Sequence, residues 1–188
     1  MTCQWIQKWI LDGYYAGTHH PQQCHALLVQ TLRSLGHDPA PLLMKTGIDP
    51  ADVGNPTKRI PTLRMQALWR LALDQTGDPA LGLVVVRQFQ PAALHGLGFA
   101  CLASDTLHDV LGRLVRFSRI LIDMPDFQLQ ETATTSDLLV QIPDLCPDFV
   151  HAAMDMGMAI FLGICQLTEG ADILPEHTCL LRPTPMDR

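Results

Sequence analysis

Apolar residues recur at helical spacing along most of this chain, and Gly and Pro punctuate the pattern. Trp5, Ile6, Trp9 and Ile10 share one face of a helix expected over Cys3–Tyr15, which His19, His20 and Pro21 break. Leu27, Leu28, Thr31, Leu32 and Leu35 repeat the spacing, and Gly36 ends that second helix. A short helix is expected over Pro39–Thr46, closed by Gly47; Asp49-Pro50 then starts a turn, and Gly54-Asn55-Pro56 is a loop. Pro61 is expected at the first position of the next helix, where its missing N–H is no loss. Met65, Leu68, Trp69, Ala72 and Leu73 make the apolar stripe of that helix, and Gly77 stops it. Asp78 and Pro79 then read as the N-cap and first residue of another helix.

Pro91–Ala103 reads as a loop leading into a short buried helix, with Gly96 and Gly98 allowing close backbone packing. Thr106 and Asp109 have capping-box spacing. The helix they open turns Leu107, Val110, Leu111, Leu114 and Leu121 inward. It carries Arg113, Arg116 and Arg119 on another face, read as solvated. The period then drops to two. Phe127, Leu129 and Glu131 alternate with Gln128 and Gln130, Thr132–Ser136 is turn-like, and Leu138–Ile142 is a second short strand, so the stretch reads as an antiparallel hairpin. A long helix is expected over Asp148–Thr168, and a last strand over Thr178–Leu181, stopped by Pro183 and Pro185. The expected class is α+β, mainly helical, with a small antiparallel sheet made of a hairpin near 126–142 plus a strand near 178–182. The whole of 1–188 reads as a single domain.

Composition sharpens this picture. Hydrophobic residues make up 47% and charged residues 17%, where soluble chains carry about 25% charged. A chain so apolar has a substantial core and room for an apolar cavity or interface. The net charge of −6 argues against direct contact with a phosphate backbone, which needs a basic face. The six cysteines stand at long spacings with no CxxC pair, as expected of free thiols in a reducing compartment. Met1–Gly17 lacks the charged and apolar regions of a signal peptide. Phe149–Leu167 is apolar but holds His151, Asp155 and Gln166. An Asp at the centre of a bilayer costs about 3 kcal/mol, so this segment reads as a buried helix, with no membrane contact and a cytoplasmic location.

Three segments carry a family pattern: TGIDPADVGNPTKRIP, LWRLALDQTGDPALGL and HGLGFACLASDTLHDVLGRLVRF. In this order and spacing they resemble the N-terminal sensing (arabinose-binding-type) domain of AraC/XylS-family transcription regulators. The resemblance is densest over Leu42–Ile122 and extends more weakly from Cys24 to the end. It implies a regulatory domain that binds a small organic effector and forms a homodimer. DNA would be bound only through a C-terminal helix-turn-helix domain, which is absent from this sequence, and the sensing domain itself is expected to continue past Arg188. A ligand-free dimerisation or interaction module is the alternative.

The candidate chemistry is sparse. His19, His20, Cys24 and His25 cluster, but Pro21 interrupts them and no second ligand pair follows at zinc spacing. No metal or cofactor is expected, and the cluster reads as a polar loop between helices. No GxSxG, HExxH, P-loop or strand-linked GxGxxG occurs, so no enzymatic activity is expected. The expected effector site lies along the 148–168 helix. His151 and Asp155, one turn apart, would orient a ligand as polar anchors; the competing readings are a buried pair that satisfies itself and the solvent edge of the helix. Met158 and Phe161 would line the wall, with Phe99 and Phe117 from neighbouring segments. The core is the competing place for Met158 and Phe161.

Overall fold

The computed structural model describes residues 19–55, 58–121, 126–141 and 150–180. The helix expected over Cys3–Tyr15 lies outside them, as do Asp148, Phe149 and Leu181. In chain order the described residues form β1 (His19–Pro21), α1 (Gln22–Ser34), α2 (Ala40–Thr46), β2 (Arg59–Pro61), α3 (Thr62–Thr76), α4 (Leu81–Val86), α5 (His95–Leu102), α6 (Leu107–Leu121), β3 (Asp126–Glu131), β4 (Ser136–Gln141) and α7 (His151–Glu169). Single 3-10 turns stand at Pro50–Asp52 and Pro91–Leu94. The class is α+β and mainly helical, as the patterning requires.

The helix ends follow local chemistry. Gly47 and Gly77 adopt left-handed φ values of 68° and 64°, which glycine reaches without a Cβ penalty, and their N–H groups bond back to the last turns of α2 and α3. At α6 the Thr106 hydroxyl accepts from the Asp109 N–H at 3.2 Å and donates to the Asp109 carboxylate at 2.7 Å. The capping pair therefore forms, with Asp109 returning to the hydroxyl itself.

Four local expectations are corrected. Pro61 is not the first residue of a helix: it ends β2, extended at φ −54° and ψ 135°, and α3 begins at Thr62. The tertiary structure recruits Arg59–Pro61 as a strand against His19–Pro21. That pairing also makes His19 and His20 part of a ribbon instead of a loop. The helix expected to start at Pro79 starts two residues later, and Asp78 caps the turn before it instead. Its carboxylate accepts from the Ala80 N–H at 2.8 Å and its carbonyl from the Leu81 N–H at 3.1 Å, so Pro79 and Ala80 form a turn and α4 starts at Leu81. The strand expected over Thr178–Leu181 is not found in its described part: 178–180 carry no strand, and Cys179 and Leu180 are exposed. A strand needs a partner edge, and the sheets formed by the described residues are the two-stranded ribbons β1–β2 and β3–β4.

The hairpin is in the expected place. β3 and β4 are antiparallel, with Phe127 opposite Val140 and Leu129 opposite Leu138. One continuous core runs through the molecule. α1 contributes Leu28 and Leu32, α2 Leu43, α3 Met65, Leu68 and Trp69, α4 Leu81 and Val85, and α6 Val110 and Leu114. α7 packs against α3, α4, α5 and α6 and is the element around which the second half is arranged. None of the described helices is long and apolar enough to cross a membrane.

Candidate functional site around the last helix

α7 buries Ala152, Met156, Ile160 and Ile164, a row at four-residue spacing. Much of its remaining apolar surface, including Met154 and Met158, is only half-buried. Close approach sets its position. A β-carbon added at Gly82 of α4 would lie 2.0 Å from the Ala152 carbonyl oxygen and 3.2 Å from the Asp155 Cβ. No side chain larger than hydrogen fits at that crossing, and Asp155 stands at its edge, half-buried. The matching expectation for the α5 glycines divides. Gly98 is packed against Pro91, whose carbonyl oxygen a β-carbon would meet at 2.0 Å, whereas Gly96 has open space beside it.

The start of α7 is tied to α3 by one buried bond: the Val150 N–H donates to the Gln66 Oε1 at 2.9 Å. Gln66 lies in the buried row Thr62, Gln66, Trp69. Sequence reading passed over it, because it stands beside the apolar stripe of α3 and only the arrival of α7 covers it. The contact made by Arg113 was also unforeseen. Arg113 does not belong to a solvated face: its guanidinium Nη1 donates to the Ala100 carbonyl at 2.7 Å, serving the C-terminal end of α5 where carbonyls lack helical partners. Arg116 is exposed, with its guanidinium carbon 5.4 Å from the centre of the Phe117 ring.

The expected site residues separate into three groups. His151, Asp155, Met158 and Phe161 follow one another along α7. His151 is exposed, Asp155 and Met158 are half-buried, and Phe161 is buried. Phe161 meets Phe127 of β3 edge-to-face, with ring centres 4.9 Å apart, which anchors the hairpin on the helix. Phe99 on α5 and Phe117 on α6 are on elements that touch α7, but their side chains are 60% and 38% exposed. With Leu102, 40% exposed, they leave apolar side chains facing out from α5 and α6.

Cys101 on α5 and Cys165 on α7 are both buried free thiols. Burial raises both above the usual thiol range. Cys165 is pushed up to about 11, first by burial and then by the neighbouring Cys101. Both therefore stay protonated at neutral pH and pack as small hydrophobes, whereas thiol chemistry needs the thiolate. His25, from the expected histidine–cysteine cluster, is completely buried in α1.

Comparison with known proteins is consistent with this architecture. The family model described as the arabinose-binding domain of AraC transcription regulators, N-terminal, matches residues 36–188. Two relatives, uncharacterized HTH-type transcriptional regulators of Mycobacterium bovis and Mycobacterium tuberculosis, are each 28% identical over 128 residues. Those matches cover 68% of this chain and 37% of each relative. The chain thus spans well under half the length of the regulators it resembles. With the match running over most of the sequence, the chain belongs to the family of N-terminal arabinose-binding domains of AraC-type transcription regulators.

Proposed function

We propose that this domain senses a small organic effector and passes the bound state to a helix-turn-helix DNA-binding domain of the same regulator, acting as a cytoplasmic homodimer without catalysis of its own. The observation that carries the reading is family membership over residues 36–188. The naming of the relatives as HTH-type transcriptional regulators supports the link to DNA, and they extend well beyond the matched segment. The net charge of −6 is in keeping with a domain that leaves phosphate contacts to another part of the protein.

The effector site is proposed along α7. Asp155 and Met158 stand half-buried there, with Phe161 as wall, His151 at the solvent end, and Phe99 and Phe117 as an outer apolar rim on α5 and α6. A small-molecule site needs this combination of apolar area with a few placed polar groups. Effector acts only through unequal affinity for two conformations, and a helix touching four others can bias how they pack.

Thermal melts of wild type and Asp155→Asn, with and without a panel of small organic molecules, test the reading. The expected result is that Asp155→Asn weakens ligand-induced stabilisation and leaves the unliganded melting temperature nearly unchanged. A lowered melting temperature with unchanged ligand response would make Asp155 a structural residue and remove it from the site. A second reading, a ligand-free interaction module, is favoured by the exposed Phe99, Leu102 and Phe117. It predicts self-association with no small-molecule response.

A further inference from the structure

We infer that the N-terminus of α7, together with the side-chain amide of Gln66, forms a binding site for a carboxylate group of a small organic acid. The inference rests on the effector-sensing reading and specifies the ligand's chemistry. It starts from an imbalance of donors and acceptors. The first N–H groups of any α-helix lack intrahelical partners and are normally met by a capping side chain, water or ligand. At α7 the N-cap residue Val150 makes no side-chain cap bond, and no acidic residue stands in the first turn. Yet this helix end is partly covered: Val150 and Ala152 are buried on either side of the exposed His151.

The second observation is independent of the helix. Gln66 is 4% exposed, and its Oε1 is committed to the Val150 N–H at 2.9 Å. Its Nε2, on the same carbon, is buried without a hydrogen-bond partner. A buried amide donor left unmade costs far more than a made bond contributes, so native structures rarely keep one without a use. The amide is held by its own acceptor at the start of the helix, so its partnerless Nε2 lies close to the Val150 N–H. The assembly offers N–H groups and the positive end of a helix dipole, and the complementary group is an anionic oxygen. A carboxylate fits better than a phosphate. A doubly charged phosphate calls for Arg or Lys, and Gln66, Val150 and Ala152 supply neither. The apolar, half-buried face of α7 beyond this end, with Met154 and Met158, suits the hydrocarbon part of an organic acid.

The test uses the full 188-residue chain with straight-chain carboxylates from acetate to octanoate. The matching primary alcohols and inorganic phosphate at equal ionic strength are the controls. Carboxylates are expected to raise the melting temperature saturably and to shift the side-chain NH2 resonances of Gln66 and the backbone amide of Ala152, while the alcohols and phosphate do neither. Gln66→Glu retains an acceptor for the Val150 N–H, replaces the donor by a negative oxygen, and supplies the helix end with its own carboxylate. It is expected to fold with an equal or higher melting temperature and to weaken carboxylate binding at least about tenfold, the scale of a lost charge-assisted hydrogen bond. Gln66→Met removes the donor without adding charge and is expected to weaken binding in the same direction. Carboxylate binding that persists in both variants, or no carboxylate response in wild type, overturns the inference. If a neutral molecule instead stabilises the protein in an Asp155-dependent way, the carboxylate site falls and the sensing reading stands. If neither class of molecule stabilises it, both fall.

Discussion

α3 and α7 are both rich in apolar residues, yet they are buried in different ways. α3 is sharply two-sided: Met65, Leu68, Trp69 and Ala72 are almost completely covered, while Arg70, Asp74 and Gln75 face water. α7 is more apolar overall, and only the row Ala152, Met156, Ile160 and Ile164, with Phe161 and Cys165, is fully covered. Its other positions are mostly half-covered. A helix that is apolar on nearly every side is expected to be central, and α7 does touch four other helices. The contrast separates a helix whose apolar face is closed by packing from one that retains half-buried apolar surface.

The largest expected effect comes from attacking the finished side. Trp69→Ala removes the largest fully buried side chain and is expected to cost about 3–5 kcal/mol, read as a large drop in the urea midpoint. A loss below about 1 kcal/mol would mean that α3 is not the rigid partner in the comparison. Next comes the α4–α7 crossing. Gly82→Ala places a methyl group against the Ala152 carbonyl, where only backbone can yield. It is expected to cost about 1–3 kcal/mol, and to move the amide resonances of α7 more than those of α3. Uniform small shifts in both helices would deny α7 its separate response.

Two smaller changes sharpen the contrast. Thr106→Ala removes the hydroxyl that serves the Asp109 N–H at the start of α6 and is expected to cost about 1 kcal/mol. Hydrogen exchange should show the loss in the first turn of α6, and an unchanged denaturation midpoint would count against the cap. Phe99→Ser, at a ring 60% exposed, is expected to change stability by no more than about 0.5 kcal/mol. Its effect belongs to function: weaker effector response or weaker self-association, measured by thermal shift and sedimentation. A destabilisation comparable to that of Trp69→Ala would place Phe99 in the core instead of at a binding rim.

The order of the helices, their stops at Gly47 and Gly77, the Thr106–Asp109 cap and the 126–141 hairpin were all determined by residues within a few positions of one another. Such features are local, so periodicity and capping chemistry suffice to read them. The family pattern was legible for the same reason, since it consists of turns and caps in a set order. What depended on distant partners was not. Pro61 ended a strand because His19–Pro21 reached it from forty residues away. Thr178–Leu180 stayed irregular because, among the described residues, no strand edge pairs with it. Arg113 turned from a solvated face to the end of α5, and Gln66 became a buried bridge to Val150, eighty-four positions along the chain. A sequence states which groups a residue offers, but burial and hydrogen-bond completion are properties of what arrives beside it. For that reason α7 could be named as the central helix from its composition, while the unused donor at its N-terminus was decided only by how α3 packs against it.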